Sequence, residues 1–465
     1  MIKVLPSEQL DILSKYRDVI EEVDVIQTVG VVERIVGLTI ESFGPPVSYG
    51  DICRIKLAKN DYLLAEVVGF NKNRIILMPI GDMKGVVPGA EVYASGSSLA
   101  VPVGDELLGR VISGTGEPMD GKGKIIPSDG YYALEGKRVN PLTRTHIDTP
   151  LSVGVRAIDG LNTVGRGQRI GIFSGSGVGK STLIGMIARY TDADVNVIAL
   201  IGERGREVRD FIDRELGVDG LKRSVVVVAT SDMPPMVRLR GASVAHAAAE
   251  YFRDKGLAVN LIMDSVTRFA MAQREVGLAA GEPAATRGYP PSVFSSMPKL
   301  MERAGTSQNG GSITGFYSVL VEGDDMNEPI ADAARGILDG HIVLSRKLAH
   351  KGHYPAIDIL SSISRCMKDV VTEEHQSASN SFRRLLAAYA DVEDMITLGA
   401  YARGSNLDAD RAIAMKNEMD AFLNQKIHEQ ETFASIVSKL ESMFAERRIG
   451  LGAARRQPAL AQMRR

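Results

Sequence analysis

The sequence predicts an α/β protein built on a parallel sheet, with a small β-barrel ahead of that core and a helical domain behind it. Three observations predict it. Short strand-like runs follow one another closely over 23–95, and apolar strands alternate with helical stretches over 96–375. Beyond 375 the glycines thin out, prolines almost vanish and a 3.6-residue period dominates. The chain has 465 residues and 44% hydrophobic content, enough for two or three globular domains.

Residues 1–22 read as a charged helical lead-in with Leu10, Ile12, Leu13 and Ile20 on one face. The runs at 30–36, 52–55, 63–68 and 74–78 are β-type, separated by Gly44-Pro45-Pro46, Asn71-Lys72-Asn73 and Val87-Pro88-Gly89. Their spacing indicates a small barrel. In the core, 168–173, 195–201, 224–229 and 258–263 are strands. Over 376–465 the stretches 382–396 and 412–444 are helical, and Arg447, Arg448, Arg455, Arg456, Arg464 and Arg465 read as a solvated basic end.

Composition excludes several classes. A formal net charge of −2 argues against a protein held on nucleic acid by bulk charge. Two distant cysteines, Cys53 and Cys366, do not make a disulfide scaffold and fit a reducing cytoplasm. The opening residues lack a signal-peptide pattern, and no run approaches the ~20 apolar residues of a spanning helix. The expectation is a cytoplasmic chain whose membrane contact is peripheral only.

The strongest motif is Ser174-Gly175-Ser176-Gly177-Val178-Gly179-Lys180-Ser181, fed by an apolar strand and followed by a helix-forming stretch from Thr182. Strand, glycine-rich turn and helix form the context of a P-loop. Glycines let successive backbone N–H groups face phosphate oxygens, and the helix N-terminus adds partial positive charge. Lys180 would reach the β- and γ-phosphates, and Ser181 would ligate Mg²⁺. The strict pattern has glycine first; here Ser174 stands there.

Hydrolysis also needs a metal anchor and a positioned water. Asp264 ends the strand that begins near Ala258, where a carboxylate would hold the Mg²⁺ shell through water. On its own, an acidic residue ending an apolar strand is common. Glu203 follows the strand at 195–201, and strand C-termini in open α/β sheets face the ligand crevice. A solvated charged turn is the other reading of this stretch, and Glu207, Arg209 and Asp210 fit it.

Gly-Glu-Arg-x-x-Glu at 202–207, the stretch from Met263 to Phe269, Pro283-Ala284-Ala285-Thr286-Arg287-Gly288-Tyr289-Pro290-Pro291 and Tyr354-Pro355-Ala356-Ile357-Asp358 together resemble the rotary ATP synthase superfamily. Within it they resemble the ATPases of bacterial type III protein export, the flagellar member above all. The resemblance runs from ~23 to ~445. It implies a P-loop ATPase using ATP and Mg²⁺, in which Glu203 orients the water, Arg204 supports it and Arg268 approaches the γ-phosphate. It implies that Tyr354 stacks on adenine and that Arg365 is an arginine finger acting across a subunit boundary. That in turn implies a homo-oligomeric ring, by analogy six copies, and poor hydrolysis by an isolated subunit.

The chain departs from the synthase β subunit at 398–406, which lacks that subunit's acidic lever. The synthase's second adenine-pocket phenylalanine is also absent: Phe422 keeps one aromatic and Ile427 comes later, which implies looser adenine selectivity. The resemblance points to energising flagellar export, with substrate unfolding, chaperone release and delivery to an export gate. Its implied partners are an export regulator, chaperones and secreted substrates. A virulence type III secretion ATPase is the alternative, and a rotary synthase subunit is a weaker one. A nucleic-acid translocase would need stacking aromatics among basic residues on the barrel. Phe43, Tyr49, Tyr62, Phe70 and Tyr93 are not clustered so, and no nucleic acid is expected.

Overall fold

The computed structural model describes residues 28–58, 61–96, 99–136 and 139–453, with side chains through Ala445. The expected lead-in at 1–22 and Arg455, Arg456, Arg464 and Arg465 of the tail lie outside those described, and Arg447 and Arg448 lie in the last helix, beyond the described side chains. Two compact units form, one ending at residue 98 and one beginning at Leu99.

The first unit is a closed barrel of six antiparallel strands, in the order Val29–Val36, Thr39–Phe43, Arg74–Pro79, Tyr62–Asn71, Ile52–Lys56 and Glu91–Ala94. Alternation of side chains across each strand sends Val32, Ile40, Cys53, Ile55, Ala65, Val67, Leu77 and Val92 inward. Closure removes the edges that a small open sheet would expose. Two-residue turns at Gly37-Leu38 and Lys72-Asn73 join two of the hairpins.

The second unit is organised by a nine-stranded sheet. From one edge its main path runs Ile357–Ser364, Gly340–Leu344, Arg169–Ser174, Ser312–Leu320, Ala258–Asp264, Val195–Ile201, Ser224–Ala229 and Arg110–Ser113. All these neighbours are parallel except the first pair. The inner strands are buried along their whole length, as Val195–Ile201 and Ala258–Asp264 show. That explains why they read as unbroken apolar runs rather than alternating ones.

Three C-terminal helices, Glu373–Thr397, Leu407–Leu423 and Phe433–Ala453, share one hydrophobic core with the sheet. Phe382 is fully buried and meets the rings of Phe422 at 5.7 Å and Phe444 at 6.5 Å. Side-chain caps start the first two helices: Thr372 Oγ1 accepts from His375 N, and Asn406 Oδ1 accepts from Asp408 N and Ala409 N. The expected continuous helical stretch at 412–444 is broken between Leu423 and Phe433. No glycine or proline marks the break. It is made by tertiary hydrogen bonds: Gln425 N donates to Tyr354 O, and the Gln425 amide bridges Arg156 N and Gly154 O. Among the described residues no helix is long and apolar enough to cross a membrane.

Candidate active site

Strand Arg169–Ser174 runs into the loop 175–179 and then into helix Lys180–Tyr190. Gly177 and Gly179 adopt φ of 78° and 93°, a left-handed backbone that side-chain-bearing residues avoid. Ser176 and Gly177 are exposed, Val178 is buried beneath them, and Ser181 is exposed in the first turn of the helix. Thr182 Oγ1 donates to Glu215 Oε1 at 3.1 Å. The Ser174 hydroxyl is buried without a hydrogen-bond partner.

Lys180 looks across the sheet. Its ammonium pairs with Asp264 Oδ1 and stands 3.6 Å from Glu203 Oε1. Asp264 is 4% exposed and its Oδ1 also accepts from Ser318 Oγ at 2.5 Å. Sheet order explains Ser318, which sequence reading missed. Strand Ser312–Leu320 lies between the strand of the glycine loop and the strand of Asp264. Met263 is level with Tyr317, so Asp264 is level with Ser318.

Burial, then the negative charge of Asp264, pushes the Glu203 carboxyl up to about 7, against the opposing pull of Lys180; Glu207 adds to the rise. A buried carboxylate, Asp264, and a part-buried one, Glu203, thus share one ammonium. Such an excess of negative charge suits a divalent cation, and the exposed Ser181 hydroxyl with Asp264 forms a fitting hard-oxygen donor set for Mg²⁺.

Arg268 sits in helix Val266–Ala279, whose cap Ser265 accepts from Arg268 N at 3.3 Å. Its stem lies directly on Gly202, where an added Cβ would come within 2.7 Å of Arg268 Cβ. Only glycine admits that approach. Arg268 Nε is buried and lacks a hydrogen-bond partner, so the guanidinium holds an unused donor beside Glu203's loop. Arg204, in contrast, has its side chain 79% exposed and pairs with Glu207 Oε1 at 3.2 Å. It does not join the Lys180 cluster.

Arg365 stands elsewhere. Its backbone N–H donates to Asp339 O at the start of strand Gly340–Leu344, whose last residue is level with Ser174. Five residues of strand separate those levels, about 16 Å. The exposed guanidinium makes a 3.5 Å contact to Arg335 O. It is at the far end of the sheet from its own Lys180.

Tyr354 is 47% exposed and lies 3.7 Å from the position a Cβ would take on Gly179. Together with Gly179, Thr182, Leu183, Asn424 and Ile427 it lines a cavity of about 810 Å³. The far wall is the break between the C-terminal helices. Arg156 holds that wall through Glu429 and Glu431, both at 2.9 Å. Phe422 does not reach the cavity; it is buried against Phe382, and Ile427 supplies the apolar surface in its place.

Family models match the chain in three stretches. They are the beta-barrel domain of the ATP synthase alpha/beta family at 32–96, the nucleotide-binding domain of the same family at 154–364 and the T3SS EscN ATPase C-terminal domain at 371–442. The chain is 54% identical to the flagellum-specific ATP synthase of Bacillus subtilis, over 92% of this chain and 97% of that one. It is 50% identical to a type 3 secretion system ATPase of Xanthomonas euvesicatoria, over 89% and 93%. The structure of the assembled ATPase EscN of enteropathogenic E. coli, 45% identical, matches with a TM-score of 0.83 over 89% of this chain and 99% of that one. The chain belongs to the ATP synthase alpha/beta family, in its branch of flagellar and type III secretion ATPases.

Proposed function

We propose that the chain hydrolyses ATP at the loop 174–182 to energise flagellar protein export. The observation that carries this is the convergence of Lys180, Asp264 and Glu203 at the mouth of a glycine loop, beside a cavity lined by Tyr354 and Ile427. Lys180 exchanges its carboxylate partners for the β- and γ-phosphates when ATP enters. Ser181 and, through water, Asp264 would hold Mg²⁺, which would supply charge neutralisation at the phosphates. Glu203, once ionised, accepts a hydrogen bond from the attacking water and orients it. Arg268 offers its free donor toward the γ-phosphate, and Tyr354 stacks on adenine. Arg204 supports Glu203 only indirectly, through Glu207.

The position of Arg365 favours a shared site. From the far end of the sheet it serves a neighbouring copy's ATP, so the working form is a ring of identical chains, six by analogy. The flagellar relative at 54% identity favours flagellar over virulence export. An export regulator, chaperones with their secreted substrates and the export gate are the partners this role requires. The protein then works in the cytoplasm, peripherally at the inner-membrane export apparatus.

Two measurements test this. ATPase rate per chain should climb steeply with protein concentration, and a rate independent of concentration would remove the shared site. A strain lacking the gene should lose swimming and recover it with the wild-type chain but not with Lys180→Ala; swimming retained, with effector secretion lost, would move the assignment to virulence export.

A further inference from the structure

The first glycine of the phosphate loop is covered by an ion pair that the loop's own sequence does not announce. Arg346 Nε donates to Asp324 Oδ2 at 3.3 Å. The pair lies directly on Gly175: a Cβ built there would stand 2.6 Å from Arg346 Nη2 and 2.6 Å from Asp324 Oδ1. The two partners come from opposite sides. Strand Ser312–Leu320 flanks the loop's strand on one side, and its exit turn carries Asp324. Strand Gly340–Leu344 flanks it on the other, and Arg346 opens the short helix that follows. Val321 N donates to Ser174 O at 3.0 Å, which fixes the exit turn to the last residue before the loop. Asp324 itself has φ of 59°, a left-handed backbone that Asp and Asn tolerate best.

We propose that the Asp324–Arg346 pair is a brace that holds the first turn of the phosphate loop in its binding geometry, which makes both of them positioning residues. The inference rests on the reading of this loop as the cradle for ATP. Both side chains are about half exposed, so the pair contributes little to global stability. Its effect is on loop position, where small displacements of a phosphate-binding backbone cost affinity.

The test uses the full chain and a fluorescent ATP analogue, with ATPase kinetics alongside. Arg346→Ala and Asp324→Asn should each weaken nucleotide binding and raise KM by about tenfold, with kcat moving less and Tm nearly unchanged. The double variant should be no worse than the weaker single one, because both remove one brace. Arg346→Lys should fall between wild type and Arg346→Ala. Tighter or unchanged binding in Asp324→Asn, with weaker binding in Arg346→Ala, would overturn the brace in favour of direct contact between Arg346 and phosphate. Wild-type binding in all variants would also overturn it and leave the ATPase reading standing. A wild-type chain that binds no nucleotide would sink both.

Discussion

Replacing Glu203 by glutamine should stabilise the protein, and more so at alkaline pH. In the folded chain the carboxyl titrates at about 7, against an ordinary value of 4.5. Burial is the first cause and Asp264 the second. Between those two values the folded chain binds more protons than the unfolded chain, so stability falls as pH rises through the window. Once pH exceeds 7 the full penalty is present. At about 1.36 kcal/mol per pH unit, the gap corresponds to about 3 kcal/mol. Glutamine keeps the shape and carries no charge at any pH. Urea unfolding of wild type and Glu203→Gln, without nucleotide, should therefore show the variant's advantage growing by about 2 kcal/mol from pH 5, where part of the penalty is already present, to pH 8. The same variant should lose about 10²–10⁴-fold in ATPase rate, since its amide is no base for the water. An advantage equal at both pH values would refute the raised carboxyl, and with it the account of two carboxylates sharing one ammonium.

Other perturbations give separable outcomes. Wild-type kcat/KM should fall about tenfold from pH 8 to pH 6, as an ionisation near 7 requires, and a flat profile there would contradict it. Lys180→Ala should abolish hydrolysis, checked by phosphate release; near-normal turnover would sink the cradle. Arg365→Ala should cost about 10³–10⁵-fold in rate, yet regain activity when mixed with Lys180→Ala chains; verified mixed rings without recovery would place Arg365 in cis or outside the chemistry. Tyr354→Ala should raise KM about 5- to 100-fold through lost stacking, with a smaller change in kcat, and an unchanged KM would remove Tyr354 from the base cavity. Phe422→Ala should instead destabilise the fold by about 3–5 kcal/mol, read as a lowered unfolding midpoint.

Much of the core was legible because it is locally encoded. Strands at 195–201 and 224–229 carry unbroken apolar runs, and the glycine loop announces itself by the backbone it needs. Asp264 and Glu203 were legible as strand-end acids, since strand termini share one edge of a parallel sheet. Their common tie to Lys180 was not, because it depends on strand order, which also brings in Ser318. The break between Leu423 and Phe433 was hidden for a similar reason. Its local sequence favours helix, and hydrogen bonds to Tyr354, Gly154 and Arg156 override that preference. Phe422 and Ile427 were placed near one another by sequence, yet that break sends the first into the core and the second to the cavity. Arg204 shows the converse: a motif neighbour of Glu203 whose side chain turns to solvent.

The separation of Arg365 from its own Lys180 has a consequence for assembly counting. On the proposal that Arg365 serves a neighbouring copy, each chain offers a finger on one side and a cradle on the other, which makes contacts between copies head-to-tail rather than self-complementary. An open row of such chains always ends in one orphan finger and one orphan cradle. Only closure gives every cradle a finger, and the last chain to join completes two sites at once. Each chain added to an open row completes one site, so turnover per chain rises as the row grows and reaches its full value only on closure.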